Sequence, residues 1–186
     1  MLGDDLRAFG NAGVEHFAEP GFGILYGQPE ITARLGSSQF MSAMYLLDTN
    51  IISELRKPKP HGGVVSWVSQ QEAAKLFISA MTVAEIQRGI EMTRAQDKSK
   101  ARQIEAWLDE LLVTGQVLAL DAAVCREWAR IMHRRSDTLV EDAFIAATAS
   151  VHNFQVVSRN ARDFKSLGLK ALNPFASPSP NTPGRK

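Results

Sequence analysis

The chain is predicted to be an α/β domain with a central parallel sheet flanked by helices, on three observations. Short apolar runs alternate with helical segments from residue 44 to residue 172, the rhythm that right-handed crossovers convert into parallel strands. Single carboxylates follow the apolar runs: Asp48 after Tyr45-Leu46-Leu47, Glu85 after Leu76-Phe77-Ile78-Ser79, and Asp163 after Val156-Val157, while Asp142 opens an alanine-rich stretch. Finally, 186 residues at 45% hydrophobic content suffice for one domain with a real core and are too few for two.

The elements follow in order. Residues 44–47 are short and apolar, as a buried central strand is. Residues 50–55 start a helix that Pro58 and Pro60 stop. A short helix over 64–70, a second strand over 76–79 and a helix over 83–93 come next. In residues 98–113, Ala101, Ile104, Trp107, Leu108, Leu111 and Leu112 recur at helical spacing with charge on the other face. Residues 117–120 read as a third strand, with Asp121 placed to cap a helix over 122–134. Residues 136–140 link it to a helix over 141–152; residues 155–157 form a fourth strand and 169–172 a short edge strand.

The ends differ from this body. Seven glycines with Pro20 and Pro29 interrupt residues 1–43 before any period is established. That stretch reads as a poorly ordered extension, with Met41 and Met44 standing where a natural start would fall. The domain proper is placed at 44–175, and residues 176–186, rich in Pro, Ser and Gly, are read as a flexible tail.

Composition excludes several classes. One cysteine, Cys125, rules out a disulfide framework and a cysteine-based zinc site, and suits a reducing, cytoplasmic setting. Its neighbours Ala122, Ala123 and Trp128 predict that it packs inside the domain. No apolar run approaches the roughly 20 residues of a membrane span, and Asp4 and Asp5 sit where a secretory leader needs positive charge. No membrane partner is expected. The extension carries five acids against two arginines, so the body is mildly basic and compatible with a polyanionic partner.

Each acid has a structural and a chemical reading. Asp48 in LLDTN serves equally as a helix cap or as a metal ligand. Glu85 closes a Thr82-Val83-Ala84-Glu85 capping box as well as it serves a site. Asp142 shares a helix face with Ile145, Ala146 and Ala149, so it points inward, where an unpaired carboxylate is costly without a cap or a cation; Glu141 is the solvent-facing member of that pair. Asp163 and Asn160 in SRNARDF are both candidates to cap a turn. Well-separated carboxylates converging on one crevice would hold a hard divalent cation through oxygen ligands.

As a set, LLDTNIISEL, ISAMTVAEIQRGI, EDAFIAATA and VVSRNARDF resemble the PIN-domain family, specifically the VapC- and FitB-type toxins of bacterial toxin–antitoxin pairs, over about residues 44–174. The resemblance implies an endoribonuclease whose carboxylates Asp48, Glu85 and Asp142 bind Mg²⁺, with Mn²⁺ as a substitute. For the fourth position it leaves Asp163 beside Asn160, Asp163 being favoured. Thr49 and Asn50 match the family's DTN segment and would support the ligands from behind. The cation would activate water against an RNA phosphodiester, leaving a 5′-phosphate and a 3′-hydroxyl. The resemblance also implies a cognate antitoxin laid over the acidic crevice and a homodimer. Arg56 and Lys57 flank the first helix as candidate contacts to the RNA backbone; Arg126, Arg130, Arg134 and Arg135 form a second basic set that reads equally as a solvated face.

Other readings are weaker. A haloacid-dehalogenase-type phosphatase needs an aspartate where this chain has Asn50, and a dinucleotide-binding domain needs a glycine-rich turn where it has Asp48-Thr49-Asn50. The alternative from another class is a catalytically silent module that binds RNA or antitoxin. The histidines, His16, His61, His133 and His152, lack ligand spacing and are assigned structural or surface roles.

Overall fold

Strand β1 (Tyr45–Leu47) lies at the centre of five parallel strands in the computed structural model, which describes residues 43–135 and 137–176. The expected extension up to residue 42 and the tail from residue 177 lie outside the described residues. Ala176 does not belong to the expected tail region in form: it closes a 3-10 turn at Pro174–Ala176.

Successive strand residues face opposite sides, and the two apolar side chains of β1 seed two cores. Leu47, Ile78 and Val157 align across the sheet on one face, packing with Ile51 and Ile52 of α1 (Thr49–Leu55), Val64 of α2 (Gly62–Ser69), Ile86 and Ile90 of α3 (Ala80–Arg94), and Ile104 and Leu108 of α4 (Lys98–Thr114). Leu46 and Val156 point the other way. They meet Ile145 and Ala149 of α6 (Val140–His152), Phe164 of α7 (Ala161–Ser166), and Trp128 of α5 (Ala122–Met132).

The strand order is β3-β2-β1-β4-β5, with β2 at Leu76–Ser79, β3 at Gln116–Leu118, β4 at Gln155–Val157 and β5 at Ala171–Leu172. The chain moves outward from β1 to β3, then crosses back to β4 on β1's other side. A crevice therefore opens between the C-terminal ends of β1 and β4, where open α/β sheets bind ligands. Asn153, in the left-handed region at φ 55°, ends α6 and lets Phe154 N–H reach back to the Ala149 carbonyl at 2.9 Å, which turns the chain into β4.

Most predicted elements stand within a few residues of their expected bounds. Helix α3 begins three residues earlier than expected because the Ser79 hydroxyl, at the end of β2, accepts from Met81 N–H at 3.2 Å and caps it. Thr82 consequently lies inside the helix, fully buried, and the expected Thr82–Glu85 capping box does not form. Asp121 caps α5 as expected, accepting from Val124 N–H at 2.9 Å. Cys125 is exposed, against expectation. The buried stripe of α5 runs through Val124 and Trp128 toward Ile131 and Met132, and Cys125 sits about a quarter turn away from Val124. No helix among the described residues is long and apolar enough to cross a membrane.

Candidate active site

Asp48 ends β1 and caps α1, so the sheet and the helix fix its position together. Its own N–H donates to the Val157 carbonyl at 3.0 Å, tying it to β4. The side chain is 3% exposed, and three donors hold it: Thr49 N–H to Oδ1 at 2.7 Å, and Asn50 Nδ2 and the Ser158 hydroxyl to Oδ2, each at 2.6 Å. Each carboxylate oxygen accepts about two hydrogen bonds; Oδ2 is filled and Oδ1 keeps a free lone pair. Burial pushes the Asp48 carboxyl above its ordinary pKa, against the pull of those donors.

Glu85 reaches the same site from the second turn of α3, freed by the Ser79 cap that makes the capping-box role unnecessary. Its Oε2 accepts the Thr49 hydroxyl, so consecutive residues of α1 hold two of the acids. Partial burial raises the Glu85 carboxyl; the charges of Asp48 and Glu141 add to this, while the Thr49 hydroxyl and Arg88 oppose it.

Asp142 stands in the first turn of α6, where the helix dipole favours an acid. It is nonetheless the most perturbed acid of the group, pushed up to about 6 by burial first and then by the charges of Asp48, Glu85, Asp163 and Glu141. The acids of four separate segments thus share one field. Glu141, the expected outward neighbour, pairs with Arg88 at 3.4 Å and is half-exposed.

Asp163 lies in the first turn of α7, half-buried, and its charge is felt at Asp142. Asn160 takes the cap position of α7 but makes no side-chain cap bond; it is exposed, and only its backbone N–H enters the network, donating to the Ser158 hydroxyl at 2.9 Å. Thr49 and Asn50, which the resemblance places in the DTN segment, hydrogen-bond Glu85 and Asp48 respectively. Arg56 and Lys57 follow α1 and are exposed, yet both have partners: the Arg56 guanidinium lies 5.8 Å from the Trp107 ring centre, and Lys57 Nζ is 2.7 Å from Glu54.

Two further groups escape a reading of the sequence. Ser158, immediately after β4, grips Asp48 across 110 positions of chain. Arg159, one residue on, pairs with the buried Glu54. A polar residue directly after an apolar strand was the available signal for Ser158; nothing in the local pattern marks Glu54 and Arg159 as partners.

The donor set is all oxygen, with like charges crowded and incompletely neutralised, which is what a hard divalent cation relieves. Among the described residues no three His, Cys, Asp or Glu side chains form a group that could hold a metal ion. Mg²⁺ takes as few as one or two carboxylates directly and keeps several waters, so it does not need such a group. Among the described residues Asp48 keeps a lone pair and Asp142 has no neutralising partner, which suits both to direct ligation.

A fold with its acids at this crevice defines a class of α/β protein, and the family model for the PIN domain matches residues 45–169. The chain belongs to the PIN-domain family. It is 36% identical over 140 residues to the VapC ribonuclease Y4jK of Sinorhizobium fredii, an alignment covering 71% of this chain and 98% of that one. Toxin FitB of Neisseria gonorrhoeae is 30% identical, with 71% and 99% of the two chains covered. The crystal structure of FitAcB from Neisseria gonorrhoeae superposes with a TM-score of 0.64 at 30% identity, covering 72% of this chain and all of that one.

Proposed function

We propose that this chain is a Mg²⁺-dependent endoribonuclease acting as the toxin of a toxin–antitoxin pair. The observation that carries the reading is the gathering of Asp48, Glu85, Asp142 and Asp163 from four segments into one field, which adds to burial in raising the Asp142 carboxyl to about 6. The relatives named as a ribonuclease and as a toxin support it.

Asp48 and Asp142 would hold the cation, with Glu85 and Asp163 beside them. Mg²⁺, or Mn²⁺ in its place, would supply a water of lowered pKa and a positive charge for the scissile phosphate. Asp48 contributes rigidity, because three donors leave it one orientation. Glu85, anchored by the Thr49 hydroxyl, orients and takes a proton from the attacking water. Arg88, 69% exposed beside Glu85 and Glu141, offsets the acids' repulsion of an incoming polyanion. The products would be a 5′-phosphate and a 3′-hydroxyl. A toxin of this kind implies a neutralising antitoxin, for which a cationic side chain entering the acid cluster is the complementary chemistry, and a homodimer as the working form.

The test is incubation of total bacterial RNA with the purified chain in Mg²⁺ and in EDTA, followed by mapping of the product ends. Metal-dependent cleavage leaving 5′-phosphates is expected. Cleavage that persists in EDTA, or products with 2′,3′-cyclic ends, would reject the mechanism.

A further inference from the structure

Asp48 is gripped by residues that are themselves held from outside the acid cluster. Asn50 and Ser158 bond each other at 3.1 Å as well as Asp48. Asn50 Oδ1 accepts the Arg159 N–H at 3.0 Å, and the Ser158 hydroxyl accepts the Asn160 N–H at 2.9 Å. The loop 158–160 therefore sets where both grips sit. The Ser158 N–H ties the loop to β5 through the Leu172 carbonyl at 2.9 Å, and Arg159 holds the rest: its guanidinium donates to Glu54 Oε2 at 2.9 Å and lies 4.0 Å from the Phe175 ring centre, while its carbonyl accepts Asn173 Nδ2 at 3.0 Å.

Glu54 is an unusual residue for its place. It lies on the same helix as Thr49 and Asn50, its side chain is 7% exposed, and it accepts Lys57 Nζ at 2.7 Å and His61 N–H at 3.0 Å besides Arg159. Burial opposes its charge, but these donors outweigh burial and hold its carboxyl below the usual range. A buried charge of this kind is retained at a cost, and its best-attested use is to fix one arrangement of the surrounding chain. Here the arrangement closes a ring: α1 carries Asn50 at its start and Glu54 near its end, and both ends are fastened to Arg159, one through the backbone and one through the side chain.

We infer that the Glu54–Arg159 ion pair, backed by Phe175 and Asn173 of the C-terminal turn, positions Asp48 for metal binding without touching the metal site. Glu54 and Arg159 are positioning residues, and the turn after β5 belongs functionally to the active site. The inference rests on the ribonuclease reading for its metal and rate arms only.

The experiment compares the full chain with Arg159→Met, which keeps an apolar stem against Phe175, with Arg159→Lys, and with Asn173→Ala, which removes one bond to the loop and leaves every charge in place. Arg94→Gln, which breaks a 2.6 Å surface pair with Glu105 at the far end of α3, is the control. Three readouts are taken well below the melting temperature: amide exchange at Thr49 and Arg159 without metal, Mn²⁺ affinity, and RNA cleavage. Arg159→Met is expected to speed exchange at both amides and to weaken Mn²⁺ binding about tenfold, the scale of outer support around a metal, with kcat reduced and KM little changed. Arg159→Lys recovers part of each loss, Asn173→Ala shows a smaller loss of the same kind, and the control shows none. A lowered melting temperature with unchanged exchange and unchanged Mn²⁺ affinity overturns the inference, since a purely structural pair behaves that way. A parent chain that neither binds Mn²⁺ nor cuts RNA overturns the ribonuclease reading instead, and exchange at Thr49 still decides the positioning claim.

Discussion

Replacing Asp142 by Asn should make the metal-free protein more stable while removing its response to Mg²⁺. The Asp142 carboxyl is raised from 3.8 to about 6, first by burial and then by four neighbouring acids. At 1.36 kcal/mol per unit this corresponds to at most about 3 kcal/mol of destabilisation by the charged form. Asp142 is half-buried, so screening reduces the figure to roughly 1 kcal/mol. The folded-state pKa is raised, so the native state binds the extra proton between the two values. The penalty is therefore absent below about pH 4, grows as pH rises, and is complete above about pH 6. In EDTA at pH 7.5 the variant should melt about 3 °C above the parent, and the gain should vanish near pH 4. With Mg²⁺ at a hundred times its dissociation constant the parent should gain about 2.7 kcal/mol, and the variant far less. Thermal unfolding followed by circular dichroism measures both chains under all three conditions. An Asp142→Asn chain less stable than the parent in EDTA at neutral pH would refute the argument from crowded charge.

Four other outcomes are expected. Asp48→Ala leaves the Thr49 N–H, Asn50 amide and Ser158 hydroxyl without their acceptor and should lower the unfolding free energy in urea by about 1–3 kcal/mol besides abolishing cleavage. Glu85→Gln should lower kcat at least about 100-fold, the low end for a lost general base, with the melting temperature nearly unchanged; full activity would remove Glu85 from proton transfer. At subsaturating Mg²⁺, cleavage should rise with pH through about 6 as Asp142 ionises, and a flat profile would show that Asp142 is not a ligand. Asp163→Asn should weaken Mn²⁺ binding more than Asn160→Ala, because Asp163 shares the field at Asp142 while Asn160 contributes only its backbone; the reverse order would assign the fourth position to Asn160.

What was legible in the sequence is what local pattern encodes. Asp48 stands out because Tyr45-Leu46-Leu47 is too short and apolar for anything but a buried strand, so the next residue must lie at a strand end. The inward face of α6 likewise reveals Asp142, since Ile145, Ala146 and Ala149 are all buried. Glu85 was ambiguous because Thr82-Val83-Ala84-Glu85 matches a capping box as well as a site acid, and the cap fell instead to Ser79, where β2 ends. Helix α7 escaped notice because its six residues are too few to display a period. Cys125 was misplaced for a related reason: small neighbours suggest burial, but the face of α5 that packs is decided by the partner helix. Glu54 and Arg159 are 105 positions apart, and a pairing across that distance follows from sheet topology, which sets β4 beside β1 and so brings the loop after β4 alongside α1.

The central claim is that these carboxylates form one divalent-cation site, and Mn²⁺ binding followed by electron paramagnetic resonance tests it most directly. The parent chain should take up Mn²⁺ in competition with Mg²⁺, and both Asp48→Asn and Asp142→Asn should lose most of that uptake while staying folded. Uptake that is absent in the parent, or unaltered in both variants, would contradict the account.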